Sequence, residues 1–218
     1  MAYQQSDKMA LRKQARRREL LDTAIRLFGR LGYHATTVPM IVAEAHSSTG
    51  AFYLYFRGKE DVYVAALYEF GVRISAGIND ATARESRQEA RMGVAVQTLV
   101  RWLAANPSEA RILMEAAALG GRMEEARREI IESHVRSVAM ALEQLAPWFE
   151  STERATVARC WVGSVLEAVV GWMNAAPDAR IDPERLGRIV AIFNLRGAAL
   201  ISSARQQPAQ ASGGEHRG

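Results

Sequence analysis

Apolar residues recur at steps of three and four along nearly the whole chain, and this period constrains the fold more than any other feature. Leu20, Ala24, Phe28 and Leu31 show it near the amino terminus. One apolar face per 3.6 residues is typical of amphipathic helices. The sequence lacks the alternation of apolar and polar residues that marks strands, and it lacks the dipeptides that mark hairpin turns. The predicted fold class is therefore all-α.

Glycine, proline and hydroxyl residues mark where these helices end and begin. Gly32 follows the first apolar face, as at a helix end. Thr36 and Thr37 can cap a short second helix that has Pro39 in its first turn, and a third helix begins at Ser48 or Thr49. Longer helices are predicted at roughly 61–81, 87–105, 107–118, 121–146, 152–175 and 183–204. The predicted organisation is a three-helix domain at 1–60, a larger helical bundle at 61–205 and a disordered tail at 206–218.

The positive charge is concentrated at one end. The first 60 residues hold ten lysines and arginines against five acidic residues, whereas the rest hold eighteen against nineteen. This asymmetry favours contact with a polyanion, either nucleic acid or an acidic membrane surface, although a solvated basic tail has the same composition. A single cysteine, Cys160, and the lack of a secretory signal or a membrane-length apolar run predict a cytoplasmic protein.

The stretch "HSSTGAFYLYF", residues 46–56, is predicted to be the functional surface. Two short helices joined by a tight turn form a helix-turn-helix, whose second helix enters a groove about 12 Å wide. Small hydroxyl residues and glycine suit the start of such a helix. Phe52 and Phe56, four residues apart, are expected to anchor it to the core. Tyr53 and Tyr55, about 200° apart, point in different directions. The alternative is an aromatic corner with a purely structural role.

A run of about fifty residues from Arg17 to Leu67 is similar to the amino-terminal domain of the TetR family of bacterial transcriptional repressors. The shared pattern comprises Ala24, Leu27, Phe28, Gly32, Tyr33, Thr36, Thr37, Val38, Ile41, Ala45, Ser48, Gly50, Phe52, Tyr53, Tyr55, Phe56, Lys59 and Glu60. Beyond it the chain resembles the family only in length, helical character and order. The resemblance implies a carboxy-terminal domain that dimerises and binds a ligand.

The resemblance also implies which residues face DNA. These are Thr37, Ser48, Thr49, Gly50, Tyr53, Tyr55 and Lys59, with Arg17 in a basic arm that includes Arg12, Lys13, Arg16 and Arg18. Thr37 and Lys59 are expected at phosphates, and Thr49, Gly50 and Tyr53 nearest the bases. The chain departs from the pattern in the turn, where His46 and Ser47 replace glycine and a branched apolar residue. Met40 also replaces a usual acidic residue. The substitutions in the turn predict a strained, less rigid turn.

The last two long helices are the expected dimer interface, because two half-sites about 34 Å apart require a two-fold dimer. On the first of them an apolar side holds Ala158, Val162, Val165, Val169 and Trp172. A smaller, more polar stripe holds Cys160, Ser164, Glu167, Gly171 and Asn174. Glu167 and Arg196 interrupt apolar runs. We expect them to be buried and to neutralise each other, within a chain or across the dimer, or to meet a ligand.

Candidates for an effector pocket are Trp102, Met114, His134, Trp161 and Glu167, since aromatic and thioether side chains adapt to apolar ligands. Most residues of this kind in a helical bundle belong to the ordinary core. The histidines and the cysteine lack the spacing of a metal site, and no phosphate-binding loop or nucleophilic serine motif is present. We therefore predict no catalytic residue, no metal and no cofactor.

Taken together, these patterns predict a ligand-responsive repressor. It would bind a palindromic operator in double-stranded DNA as a homodimer and be released by a small apolar effector, with no role at a membrane. A second hypothesis is a helical ligand- or partner-binding dimer whose DNA-binding head is weakened or vestigial. An activator of the same architecture is a third hypothesis, and a helical enzyme is a more distant fourth.

Overall fold

The computed structural model of the protein describes residues 2–206, with side chains described from residue 8 to residue 201. Within that range the chain forms nine α-helices and no strand, which confirms the predicted all-α class. The helices are α1 (Ala2–Leu31), α2 (Val38–Glu44), α3 (Thr49–Tyr53), α4 (Lys59–Thr82), α5 (Gln88–Ala105), α6 (Pro107–Leu119), α7 (Gly121–Leu145), α8 (Ser151–Asn174) and α9 (Pro183–Gln206). A 3₁₀ turn, Pro177–Ala179, lies between the last two. The tail predicted to be disordered lies outside the described residues, except for Gln206.

The predicted ends of the long helices are confirmed to within two residues. Gly32, at φ +82°, ends α1 in the left-handed region, and its N–H donates to Phe28 O at 2.8 Å. Pro107 and Pro183 open α6 and α9. No helix of the described range combines the length and the apolar content needed to cross a membrane.

Helix α1 is longer than its apolar face. That face begins at Leu20, yet the helix extends back to Ala2, and the side chains of residues 8–15 are all exposed. Alanine, arginine, lysine, glutamine, methionine and leucine dominate this segment, and all are strong helix formers. The predicted basic arm is therefore helical and continuous with the first helix.

Contacts divide the described chain into two compact units. The amino-terminal unit holds residues up to Gly77 together with Trp102–Glu132, and the carboxy-terminal unit holds Ile78–Arg101 and residues from Ser133 onward. Helices α4, α5 and α7 contribute residues to both units. This division concerns compactness, so the functional boundary placed at residue 60 stays a prediction.

The core of the amino-terminal unit is built around Phe28 and Tyr63, whose rings meet edge to face at 4.8 Å. The buried Tyr63 hydroxyl donates to Ile112 O at 2.9 Å, which joins α4 to α6. Burial, reinforced by the nearby Glu115 carboxylate, raises the pKa of Tyr63 well above its usual value.

Helices α1 and α6 cross at Gly29, where a β-carbon would lie 2.5 Å from Ser108 Cα. Arg111 on α6 donates to the carbonyls of Gly29 and Arg30, at 3.2 and 3.4 Å, near the carboxyl end of α1. Glu115, one turn further along α6, accepts the Tyr33 N–H at 3.2 Å. The Arg111 contacts satisfy carbonyls that a helix end leaves unpaired, and together with the Glu115 contact they fix α6 to the end of α1.

An arginine on α4 links three helices of the same unit. Arg73 forms ion pairs with Asp22 of α1 at 2.9 Å, with Glu69 at 2.8 Å and with Glu109 of α6 at 3.6 Å. All four side chains are at least partly shielded from water, so these pairs are better placed than fully exposed ones to orient α4.

In the carboxy-terminal unit, α8 buries the face that contains Ala158, Trp161 and Val165. Ser164 and Asn194 join α8 to α9 by side-chain hydrogen bonds of 2.8 and 3.0 Å. Trp172, predicted on the apolar side, is half-buried, and its indole N–H donates to Ile181 O at 2.7 Å. The predicted polar stripe is exposed, apart from the half-buried Ser164.

Candidate nucleic-acid interface

Helices α2 and α3, joined by residues 45–48, form the helix-turn-helix. Ile41 and Ala45 are buried at one end of the turn, and Phe52 is fully buried on α3. The rings of Phe52 and Phe56 are buried and pack against each other, with their centres 5.5 Å apart. This confirms the two residues as the anchor of the second helix. The apolar side chains therefore hold both short helices, which would not be stable alone.

Two of the hydroxyls predicted to face DNA cap these helices. Thr37 Oγ1 accepts the Met40 N–H at 3.4 Å at the start of α2, and Ser48 Oγ accepts the Ala51 N–H at 3.1 Å at the start of α3. Both residues are extended and exposed. A hydroxyl that accepts a capping hydrogen bond keeps its own hydrogen, so each can still donate outward to a phosphate.

The leading edge of α3 is open. Ser48, Thr49 and Gly50 are exposed, and a β-carbon on Gly50 would have only Ser48 Oγ within reach, at 4.0 Å. The Tyr53 side chain is 56% exposed, whereas Tyr55 is half-buried. We call the surface formed by these five residues the α3 edge. Leu54, which the sequence did not single out, is 74% exposed beside it.

The turn carries the strain predicted from its sequence. His46 has φ +46°, and within residues 2–206 no other residue besides glycine has a positive φ. Arg16 of α1 extends its guanidinium to Ala45 O and His46 O, both at 3.5 Å, while pairing with Glu19 at 2.6 Å. Arg16 thus supports the turn. Its place in the basic arm gave no sign of this role, because the contact spans about thirty residues.

Ser47 is the weak point of the turn. Its N–H donates to Val42 O at 2.8 Å, but its hydroxyl is buried with no hydrogen-bond partner. A branched apolar side chain would bury favourable surface at this position, whereas the hydroxyl loses its hydration without compensation. The lower rigidity predicted for the turn therefore has a structural basis at Ser47.

The basic residues of α1 differ in their partners. Arg18 pairs with Asp22 at 3.1 Å and with Glu69 at 2.9 Å, so carboxylates already neutralise it. The Arg17 guanidinium lies 5.2 Å from the centre of the Phe56 ring and stays exposed. Lys8, Arg12 and Lys13 are exposed and have no ion-pair partner among the described side chains. We call these three residues the free basic face.

Lys59, at the start of α4, is held by the loop after α1. Its ammonium donates to Tyr33 O at 2.8 Å and lies 4.2 Å from the centre of the Tyr33 ring. Desolvation lowers the pKa of Lys59 from its usual value. The ammonium has further N–H groups, so the phosphate contact expected for it stays a prediction.

The five pocket candidates are divided between the two units. Trp102 meets Phe70 edge to face at 5.3 Å in the amino-terminal unit, where Met114 is half-buried on α6. The remaining three, His134, Trp161 and Glu167, belong to the carboxy-terminal unit. His134 is half-buried and Trp161 is buried, whereas Glu167 lies on the exposed face of α8. Their role in effector binding stays a prediction.

Glu167 and Arg196 differ from expectation. The sequence predicts that both are buried within apolar runs and pair with each other or with a ligand, but both side chains are exposed in the single chain, and among the described residues neither has an ion-pair partner. Burial within the single chain is not observed, because the apolar residues around them, on α8 and α9, also belong to exposed faces; pairing across a dimer stays a prediction. The two side chains do not pair within the chain.

A sequence profile of the family described as bacterial regulatory proteins, tetR family, matches residues 20–66, which contain α2, α3 and the start of α4. The transcriptional regulator BetI of Brucella suis biovar 1 (strain 1330) is 36% identical over 99 residues, which cover 40% of this chain and 50% of BetI. HbdR of Aromatoleum sp. (strain CIB) is 40% identical over 52 residues, 24% of this chain and 23% of HbdR. The chain thus spans half or less of the length of these curated relatives.

Solved structures extend the similarity of fold to most of the chain. The fatty acid degradation regulator FadR of Bacillus halodurans superposes with a TM-score of 0.74 at 22% identity, over 84% of this chain and 95% of that one. FadR of Bacillus subtilis, in complex with stearoyl-CoA, superposes with a TM-score of 0.71 at 20% identity, over 82% of this chain and 97% of that one. AibR, in complex with isovaleryl coenzyme A and operator DNA, superposes with a TM-score of 0.66 at 19% identity, over 82% of this chain and 97% of that one. At these identities the likeness concerns the fold.

The matched residues coincide with the helix-turn-helix that carries the exposed α3 edge. The helices beyond it have the same fold as the solved structures named above. The amino-terminal helix-turn-helix of the chain, within residues 20–66, therefore matches that of the TetR family of bacterial regulatory proteins.

Proposed function

We propose that the protein is a ligand-responsive transcriptional regulator that acts in the cytoplasm as a repressor, binds a palindromic operator as a homodimer and is released by a small apolar effector. The observation that supports it is the exposed α3 edge, in which small hydroxyl residues and Gly50 stand clear of the protein while Phe52 anchors the helix behind them. A helix presented in this way fits the major groove. The proposed role includes no catalysis, metal or cofactor.

The expected contacts follow from the geometry of each side chain. Thr37 and Ser48 keep hydrogens for phosphates after capping their helices, whereas Thr49, Gly50 and Tyr53 lie where base edges would approach. Tyr55 is half-buried and is suited to the flank of the contact. Lys59 and Arg17 are suited to contact the DNA backbone.

A homodimer is proposed from the surface of the last two helices. Ile189, Phe193 and Leu200 recur at steps of four and seven along α9, and the latter two are each 68% exposed. An apolar stripe of this size on one helix is unfavourable in water and is typical of a protein interface. A two-fold pairing would also present two α3 helices to two half-sites.

The proposed effector class is a molecule with an apolar chain. Structures with the same fold are described with stearoyl-CoA in FadR of Bacillus subtilis and with isovaleryl coenzyme A in AibR. An effector releases DNA if it prefers the state that does not bind, and a preference of about 100-fold corresponds to about 2.7 kcal/mol. Acyl thioesters of different chain length are therefore the first compounds to test.

The hypothesis of a weakened DNA-binding head has one observation in its favour. The turn between α2 and α3 combines the left-handed His46 with the unsatisfied hydroxyl of Ser47. Such a turn would hold α3 less rigidly and lower the affinity for an operator, while ligand binding and dimerisation would be unaffected.

Binding of the purified chain to genomic fragments, including the region upstream of its own operon, separates these functions. A specific complex should weaken by about 10³-fold or more between 50 and 200 mM salt, because phosphate contacts release counterions. Tyr53→Ala should weaken it by a further factor of ten or more, and Arg17→Ala should mainly flatten the salt dependence. Tyr68→Ala, at an exposed tyrosine on α4, is the matched control.

The outcome assigns the function. Absence of any fragment bound above the non-specific level would favour the weakened DNA-binding head. Stearoyl-CoA and isovaleryl-CoA should each be tested for release. An acyl-CoA that binds together with the operator without mutual weakening would contradict the release mechanism, because the coupling between two sites is reciprocal.

A further inference from the structure

Glu167 and Arg196 are each isolated among uncharged residues. Glu167 is the only charged residue of α8 after Arg159, and Arg196 is the only one of α9 between Arg188 and Arg205. Both are exposed, and within the described residues neither forms an ion pair. A surface arginine with an acidic neighbour four residues away can use it, as Arg188 does with Glu184 at 3.8 Å.

The surfaces around the two charges have complementary shapes. On α8 the exposed neighbours of Glu167 are small, with Gly163 and Gly171 one turn to either side and Cys160 beyond. On α9 the exposed neighbours of Arg196 are large and apolar. Small residues on one helix allow a second helix with large side chains to approach closely.

These exposed surfaces lie opposite the buried faces of their helices. The hydrogen bonds between Ser164 and Asn194 hold α8 to α9, and Ala158 and Val165 on one helix and Val190 and Ala198 on the other are buried. Glu167 and Arg196 therefore lie on the surface that the proposed homodimer would cover. A charge covered by an apolar surface is costly unless an opposite charge meets it.

We propose that Glu167 of one protomer pairs with Arg196 of the partner subunit, and that this pair selects a second copy of the same chain as the partner. The inference rests on the homodimer of the proposed function. Two-fold symmetry makes the contact twice, once in each direction. A chain with a similar apolar stripe but without both charges would leave charges unpaired in the interface, which is how such a pair discriminates between partners.

Charge reversal tests the pairing because, in a two-fold dimer, each substitution changes both contacts at once. Glu167→Arg alone places two arginines opposite each other at both contacts, and Arg196→Glu alone places two glutamates there. At about tenfold for each contact, each single variant should raise the dimer dissociation constant about 100-fold. The two single variants should pair with each other when they are mixed, because the mixed dimer has one contact of the original kind and one with the charges reversed. The double variant tests whether the reversed kind is tolerated at both contacts.

The double variant E167R/R196E completes the design. It restores opposite charges at both contacts, so it should form a homodimer of nearly wild-type affinity. It should also exclude the wild-type chain, since both contacts of that mixed dimer would be repulsive. Arg188→Glu is the matched control and should neither weaken the wild-type homodimer nor rescue Glu167→Arg when it is combined with it in one chain. Differently tagged chains, co-purified after mixing and followed by native mass spectrometry, report each pairing, and circular dichroism checks that the variants stay helical.

Three results would overturn the pairing: single variants as tightly dimeric as the wild type, rescue of Glu167→Arg by Arg188→Glu as complete as by Arg196→Glu, or a double variant that dimerises equally well with the wild-type chain. The last would mean that the two charges do not meet across the interface. A wild-type chain that is monomeric at micromolar concentration would contradict the proposed homodimer itself. A dimeric wild type that is indifferent to the charges would contradict only the pairing.

Discussion

Two adjacent residues in the turn between α2 and α3 are locally unfavourable. The left-handed conformation of His46 costs roughly 1 kcal/mol relative to glycine, and the buried hydroxyl of Ser47 forms no hydrogen bond. Ser48, the next residue, uses its hydroxyl fully as the cap of α3. The same side chain is therefore unfavourable at one position and favourable at its neighbour.

Replacing Ser47 by valine should stabilise the protein by about 1 kcal/mol, because it removes an unsatisfied buried hydroxyl and adds buried apolar surface. Ser48→Ala should have the opposite effect, a loss of about 1 kcal/mol, since it removes the hydrogen bond to the Ala51 N–H. Denaturant unfolding of both variants beside the wild type measures this difference. Destabilisation by Ser47→Val would mean that the hydroxyl has a partner, for example an ordered water.

At the scale of helices, the local features were predictable and the contacts between helices were not. Gly32 marks the end of α1, and Pro107 and Pro183 mark the starts of α6 and α9, because each acts on its own backbone. The crossing of α1 and α6 at Gly29 joins residues about eighty positions apart, and no local pattern indicates it. The period of three and four also could not tell an apolar face covered by the same chain from one left exposed, as on α9.

The crossing of α1 and α6 gives a prediction at this scale. Gly29→Ala places a methyl group against Ser108, whose Cα would be 2.5 Å away and cannot move without displacing α6. We expect a loss of about 2–3 kcal/mol in the free energy of unfolding. Gly77→Ala, at a helical glycine on α4 with open space around it, is the control and should stabilise by up to about 1 kcal/mol. Equal effects of the two substitutions would show that the helices do not cross this closely.

For the whole molecule, the sequence located the basic segment but did not show how its charges are used. Six cations between Lys8 and Arg18 are equivalent as far as the sequence goes. In the structure Arg16 and Arg18 are paired with carboxylates, and Arg17 lies against an aromatic ring. The pairs depend on how α1 packs against α4 and the turn, which is a property of the folded unit and not of the run of charges.

The free basic face therefore should account for most of the electrostatic attraction of α1 to DNA. Replacing Lys8, Arg12 and Lys13 together by glutamine removes six cations from a homodimer. Each phosphate contact contributes about 0.9 to the slope of the logarithm of the binding constant against the logarithm of the salt concentration. The slope should therefore become shallower by up to about 5, with little change in operator preference. The triple replacement of the exposed Arg84, Arg87 and Arg91 by glutamine changes the net charge equally and should leave the slope nearly unchanged. Equal slopes for the two triple variants would mean that net charge, and not the α1 extension, attracts the operator.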